Sequence, residues 1–204
     1  MVSIIIPYNK DRGFLKDAVK SCENQTFDDY EILLQWGDKS TSENINDGIE
    51  RAKGEYIKLC GEDDILLPNC LMDLYHSIQG ADVAAGHCIN FREDDSFIRY
   101  VKVPYDVYDL AKKNTLHGLG TLYRTSALWD VGLFDEDLDR MEEFELHLCL
   151  LANGYRFNLC DKVVAKYRLH TDQKSHFFNN YPDENTIENR IRRRDRNKII
   201  QRWT

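Results

Sequence analysis

The sequence predicts an α/β fold, with a parallel, doubly wound sheet in its first half and a mixed second half. Two observations carry this. Three strand–helix repeats fill about the first 80 residues. Beyond them, short apolar runs succeed one another without long helices between.

Val2–Ile6 is a continuous, largely β-branched run, the pattern of a strand buried on both faces. Leu15, Ala18, Val19 and Cys22 follow at i, i+3, i+4 and i+7, one face of a helix. Tyr30–Leu34 reads as a second strand and Tyr56–Cys60 as a third. Between them, Ile45, Gly48, Ile49 and Ala52 form a helical stripe, with Gly54 expected as its stop. Leu71, Leu74, Tyr75 and Ile78 predict a third helix ending at Gly80. In the second half, Asp82–Asn90, Phe97–Val103 and Gly120–Arg124 read as strands. Glu142–Asn153 reads as a helix stopped by Gly154, and Tyr155–Cys160 and Val163–Leu169 as two more strands. A polar stretch then leads to a basic tail.

The composition is that of a globular domain: 42% apolar and 30% charged among 204 residues. No apolar run reaches the ~20 residues of a membrane span, and the first residues lack a basic leader, so a strand is expected there and a cytoplasmic location. Cysteines stand at 22, 60, 70, 88, 149 and 160 with no CxxC pair, which predicts buried free thiols in a reducing compartment. Residues 186–204 carry seven basic and two acidic side chains, leaving the rest at −13 within a net −8. An acidic body argues against nucleic acid as a partner. The basic tail reads as a solvated helix, or as an attachment to an adjoining domain or an anionic membrane surface.

In an open α/β sheet, ligands sit beyond the carboxyl ends of the strands. Pro7-Tyr8-Asn9, Trp36-Gly37-Asp38-Lys39-Ser40 and Gly61-Glu62-Asp63-Asp64 fall there. Neither G-x-G-x-x-G nor G-x-x-x-x-G-K-[ST] occurs, so a dinucleotide fold and a P-loop are excluded. Adjacent carboxylates at a strand end suit a divalent cation. Equally, Asp63 or Asp64 could cap the helix beginning near Pro68.

The order of motifs resembles a family 2 glycosyltransferase with the GT-A fold, from Val2 to about Ser175. It opens with VSIIIPYNK and continues through Leu15, Ser21, Gln25-Thr26 and YEILL. Asn46-Asp47-Gly48-Ile49 and Ala52-Lys53-Gly54-Glu55-Tyr56-Ile57 precede CGEDDILLP, which stands where the family's DxD motif lies. GTLYRTSAL, VGLFDEDL, Glu142-Glu143-Phe144-Glu145-Leu146 and KYRLH follow in family order.

The resemblance implies a Rossmann-like nucleotide-sugar-binding half (1–90), with a mostly parallel central sheet, joined to a mixed acceptor and catalytic half (91–175), and then a polar loop and basic helix over 176–204. It implies inverting transfer of a sugar from a nucleotide-diphosphate donor, UDP-hexose by default, to a hydroxyl of a glycan or glycoconjugate acceptor. Mn²⁺ or Mg²⁺ would neutralise the leaving diphosphate. Asp63 aligns with the last DxD aspartate and His170 with the family's C-terminal histidine, so these are the expected metal ligands. Glu143 is the expected general base, with Glu142 next. Pro7, Tyr8, Asn9, Arg12, Trp36, Asp38, Asn46, Glu62 and Asp63 are the expected nucleotide-sugar contacts. A satisfied strand-end histidine and an acidic first helical turn remain alternative readings of His170 and of Glu142-Glu143.

Two departures stand out. The family's D-D-G-S after strand two is here Trp36-Gly37-Asp38-Lys39-Ser40, and the first DxD aspartate is Gly61. The second leaves a degenerate, non-catalytic nucleotide-sugar-binding module open as an alternative. A nucleotidyltransferase is disfavoured because Pro7-Tyr8-Asn9-Lys10 stands where its Gly-rich loop belongs. The domain is short for the family, so it is expected to act on a soluble or partner-held acceptor or as a module of a larger protein.

Overall fold

The computed structural model describes residues 1–138, 140–173 and 201. The loop and basic helix expected over 176–204 lie outside the described residues, Gln201 apart. The chain runs β1 (Val2–Tyr8), α1 (Leu15–Glu23), β2 (Tyr30–Trp36), α2 (Thr41–Arg51), β3 (Tyr56–Leu59), β4 (Ile65–Leu66) and α3 (Cys70–Ser77). The second half continues β5 (Val83–Phe91), β6 (Ser96–Arg99), α4 (Val107–Lys112), a 3₁₀ turn (Gly118–Gly120), β7 (Thr121–Arg124), α5 (Thr125–Asp130), α6 (Glu142–Ala152) and β8 (Phe157–Arg168).

One eight-stranded sheet holds the molecule together, in the order β2-β1-β3-β7-β5-β8-β4 with β6 paired to β5. β1, β2, β3, β5 and β8 point the same way; β7 is wedged antiparallel between β3 and β5. The chain steps from β1 to β2 on one side and then crosses to β3 on the other, so the order reverses at β1 and opens a crevice beyond the strand ends.

β1 shows why the sheet is double-faced. Val2, Ile4 and Ile6 pack with Ala18 and Cys22 of α1 and Leu71 and Leu74 of α3. Ile5 packs on the opposite face with Ile45 and Ile49 of α2 and with Ile57. Each such aliphatic burial is worth roughly 1.5–3 kcal/mol against leaving the side chain in water. A third cluster, including Val101, Leu110, Phe144 and Leu148, sits under α4 and α6. All six cysteines are buried free thiols, and burial pushes those of Cys70 and Cys88 up to about 12, so they stay protonated.

Several expectations change. α2 stops at Arg51 because Ala52 turns extended; Gly54 does not end it. A Cβ at Gly54 would lie 2.5 Å from the Ser3 nitrogen, so that glycine permits close approach to β1. The strand expected to Val103 leaves its ladder after Arg99, and the Val101 N–H donates to His87 Nδ1 at 3.1 Å. The two strands expected at 155–160 and 163–169 are one, β8, kinked by register shifts around His87. No side chain caps α3, so Asp63 and Asp64 do not serve as its cap.

Candidate active site

The carboxyl ends of β1 and β3, the start of α2, the turn before β7, the ends of β5 and β8 and the start of α6 enclose a cleft of about 1150 Å³. Of the expected residues, Pro7, Tyr8, Asn9, Arg12, Glu62, Asp63, Glu142 and Glu143 line it.

The Gly61–Asp64 turn is packed from both sides. A Cβ at Gly61 would lie 2.6 Å from Asp64 Oδ2 and 2.8 Å from Asp63 Oδ1. The missing first carboxylate of the motif thus has a steric reason: two later carboxylates fold over that position. Glu62 forms an ion pair with Arg12, and its Oε2 is buried without a partner. Asp63 Oδ2 lies 2.9 Å from His170 Nε2, and His170 packs on Phe14 with ring centroids 5.0 Å apart. Asp64 is buried and accepts the Arg168 N–H at 3.1 Å. Burial, reinforced by Asp63, raises its carboxyl well above the usual range.

Arg168 fastens this wall. Its Nε donates to the Asp63 carbonyl at 2.9 Å, and its guanidinium lies 4.4 Å from the Phe14 ring centre and 4.8 Å from that of Phe91. Stacking and a planar fork are guanidinium properties that lysine lacks.

A second wall is the N-terminus of α6. Glu142 is buried and Glu143 half-buried. Glu143 rests on Gly118, where a Cβ would meet its Oε1 at 2.6 Å and its Cγ at 2.7 Å. Gly118 is held in turn from beneath. Lys58 of β3 is wholly buried, and its ammonium donates to the Leu59 carbonyl at 2.8 Å and to the Leu119 carbonyl. One turn along α6, His147 shares a 2.8 Å hydrogen bond with the Tyr123 hydroxyl. Burial drives His147 down to about 3 and raises Tyr123, so both are neutral at ordinary pH.

Three expected contacts fall elsewhere. Trp36 is 62% exposed on edge strand β2, and neither it nor Asp38 lines the cleft. Asn46 faces a different cavity, where its Nδ2 donates to the Phe134 carbonyl and to Glu136 Oε1, both at 2.9 Å. It ties α2 to the 131–137 loop. The place expected for Trp36 and Asp38 is taken by Lys39, Ser40, Thr41 and Asn44 at the start of α2. A capping box, Ser40 with Glu43, builds that helix start. Its S-x-x-E signature is readable in the sequence and was the missed signal. The Tyr8 carbonyl accepts the Gly37 N–H at 3.2 Å.

Asp63 and His170 offer one hard oxygen and one imidazole nitrogen side by side. Among the described residues, no group of three or more His, Cys, Asp or Glu converges. That two-donor set fits Mn²⁺ or Mg²⁺ bound jointly with phosphate oxygens of a substrate. Among the described residues no helix is long and apolar enough to cross a membrane.

No protein-family model matches the chain. An uncharacterized glycosyltransferase of Rickettsia felis is 26% identical over 222 aligned positions, covering 90% of this chain and 36% of that protein. The chain thus spans about a third of the length of the first curated relatives it matches. The glycosyltransferase GlyG of Streptococcus pneumoniae is 28% identical over 131 positions, covering 50% of this chain and 44% of that protein. Among solved structures, S. aureus TarS in complex with UDP-GlcNAc superposes with a TM-score of 0.70 at 16% identity, over 88% of this chain and 61% of that one. A Pyrobaculum calidifontis mannosyltransferase in complex with GDP-Man and Mn²⁺ gives 0.65 at 13% identity, over 86% and 59%. The chain has the GT-A fold of these glycosyltransferases, and its curated relatives carry the glycosyltransferase name.

Proposed function

We propose that residues 1–175 form an inverting, metal-dependent glycosyltransferase domain. It moves a sugar from a nucleotide-diphosphate donor, with UDP-hexose as the working donor, to a hydroxyl of a glycan or glycoconjugate. The observation that supports the reading is that Asp63 and Glu143 line one cleft beyond the ends of the parallel strands.

The nucleotide-sugar lies along Pro7-Tyr8-Asn9 and the start of α2. Arg12 and Lys39 line that side and supply cations for the diphosphate. Asp63 and His170 would hold Mn²⁺ or Mg²⁺, which when bound supplies Lewis-acid neutralisation of the leaving diphosphate. Glu143, seated on Gly118, accepts the proton of the acceptor hydroxyl. The hydroxyl oxygen bonds to the anomeric carbon as the bond from that carbon to the diphosphate oxygen breaks; the electron pair leaves with the diphosphate. Attack opposite the leaving group inverts the centre. Glu142 is the next candidate for the base.

Calorimetric titration of UDP, with and without Mn²⁺, tests the reading on wild type and Asp63→Ala. The expected result is Mn²⁺-dependent binding that the variant loses. Absence of binding of UDP, GDP and dTDP under both conditions would sink the transferase reading and leave a degenerate module.

A further inference from the structure

The β5–β6 side of the cleft carries polar groups that the reaction above does not use. Asn90, near the end of β5, is 7% exposed, lines the cleft, and its Oδ1 is buried without a partner among the described residues. His117, before the 3₁₀ turn, also lines the cleft, and its Nδ1 is buried without a partner among the described residues. Burial, with repulsion from Arg99 and Lys58, pushes that imidazole down to about 3, so the ring is neutral. Phe97 and Arg99 are two residues apart on β6, which puts them on one face, and both line the cleft. Phe97 is 53% exposed. Arg99 spends one contact, Nη2 to the Leu116 carbonyl at 3.3 Å, and Arg92 stands exposed on the same wall.

Each group answers a different part of one ligand. An unpartnered buried amide oxygen or ring nitrogen costs free energy until a partner arrives. A sugar hydroxyl, both donor and acceptor, satisfies either. An exposed aromatic ring offers an apolar face to the C–H face of a pyranose. Two guanidiniums match a carboxylate or phosphate. Their presence on one cleft wall is notable in a chain of net charge −8. The wall is also separated from the nucleotide side: β7 lies between β3 and β5.

We propose that Asn90, Arg92, Phe97, Arg99 and His117 form a subsite for an acidic sugar of the acceptor, one bearing a carboxylate. The inference rests on the transferase reading and extends it to the acceptor's chemical class.

Trigalacturonate and the neutral maltotriose are the probes, titrated into the protein with UDP and Mn²⁺ present. UDP binding is measured in parallel. Wild type is expected to bind trigalacturonate and to prefer it over maltotriose. Arg92→Ser and Arg99→Ser should each weaken trigalacturonate by about tenfold or more, the loss expected of a charged hydrogen bond, with UDP affinity unchanged. Arg92→Ser alters an exposed side chain, so it keeps the test valid if Arg99→Ser fails to fold, which thermal melting monitors. Equal binding of maltotriose overturns the proposal. So does weakened UDP binding in both arginine variants, which assigns the wall to the donor. UDP binding without trigalacturonate binding overturns the acceptor inference alone. Absence of UDP binding by wild type overturns the transferase reading and the acceptor role with it.

Discussion

The two walls of the cleft are built on different principles. The Asp63 wall is clamped by side chains: Arg168 between two phenylalanine rings, Asp64 on the Arg168 amide, and His170 against Asp63. The Glu143 wall is set by close packing on a residue with no side chain, Gly118, carried on a turn that Lys58 holds. Polar clamps tolerate small shifts by bending hydrogen bonds. A steric seat does not. On the proposed reading, the Asp63 wall should therefore fail through loss of donor binding, and the Glu143 wall through loss of rate.

The largest effects separate those outcomes. Asp63→Ala should abolish Mn²⁺-dependent UDP binding, read by calorimetry. Glu143→Gln should leave UDP binding intact and lower kcat by roughly 10²–10⁴, the usual worth of a positioned base. A Glu143→Gln protein of normal rate would transfer the role to Glu142. Gly118→Ala comes next. The added methyl displaces the Glu143 carboxylate, so kcat should fall by up to about 10² with donor affinity unchanged. Its counterpart on the other wall, Gly61→Asp, restores the family's motif on paper but drives a side chain into Asp63 and Asp64. It should weaken UDP binding, not strengthen it.

A smaller effect concerns stability against pH. His117 and His147 are depressed from 6.5 to about 3 in the folded chain. Below pH 6.5 the unfolded chain therefore binds more protons, and stability falls as pH drops from about 6.5 toward 3. Each histidine contributes a slope of at most about 1.4 kcal/mol per pH unit. Asp64, raised by burial, has the opposite sign above the ordinary aspartate range, but it is one group against two. Urea melts at pH 7 and pH 5 should show the loss, and His147→Gln should reduce it. The smallest change is Ser40→Ala, which removes the α2 cap and costs about 1 kcal/mol by thermal melting.

How much of this was legible follows from the same contrast. The first half writes its fold into local pattern: buried parallel strands give unbroken apolar runs, and α1 to α3 give helical stripes. The short elements β4, α4 and α5 have two to six residues, too few for a period to register. Asp63, Glu142, Glu143 and His170 are named by motif order alone, and the proposal rests on them. Lys58 reads only as a strand residue and Arg168 only as part of KYRLH, because nothing local says what a side chain meets 61 or 105 positions away. No motif names Asn90, Arg92, Arg99 and His117, for a related reason: two strands, the loop between them and a distant turn bring them to one wall. Trp36 and Asn46 were misplaced by geometry finer than any motif. On a strand the neighbouring residue faces the other way, and on α2 Asn46 turns toward the 131–137 loop.

The Asp63–His170 contact spans 107 positions. A ribosome therefore delivers the β1–β3 sheet and the acidic turn long before the strand that completes them. Contacts of such high sequence separation order a long intervening segment, so this one is expected to form late in folding. Until β8 slides in beside β5, the growing chain displays a turn of carboxylates with neither the histidine nor the arginine that organises them. On the proposed reading, competence to hold a charged donor arrives together with closure of the sheet.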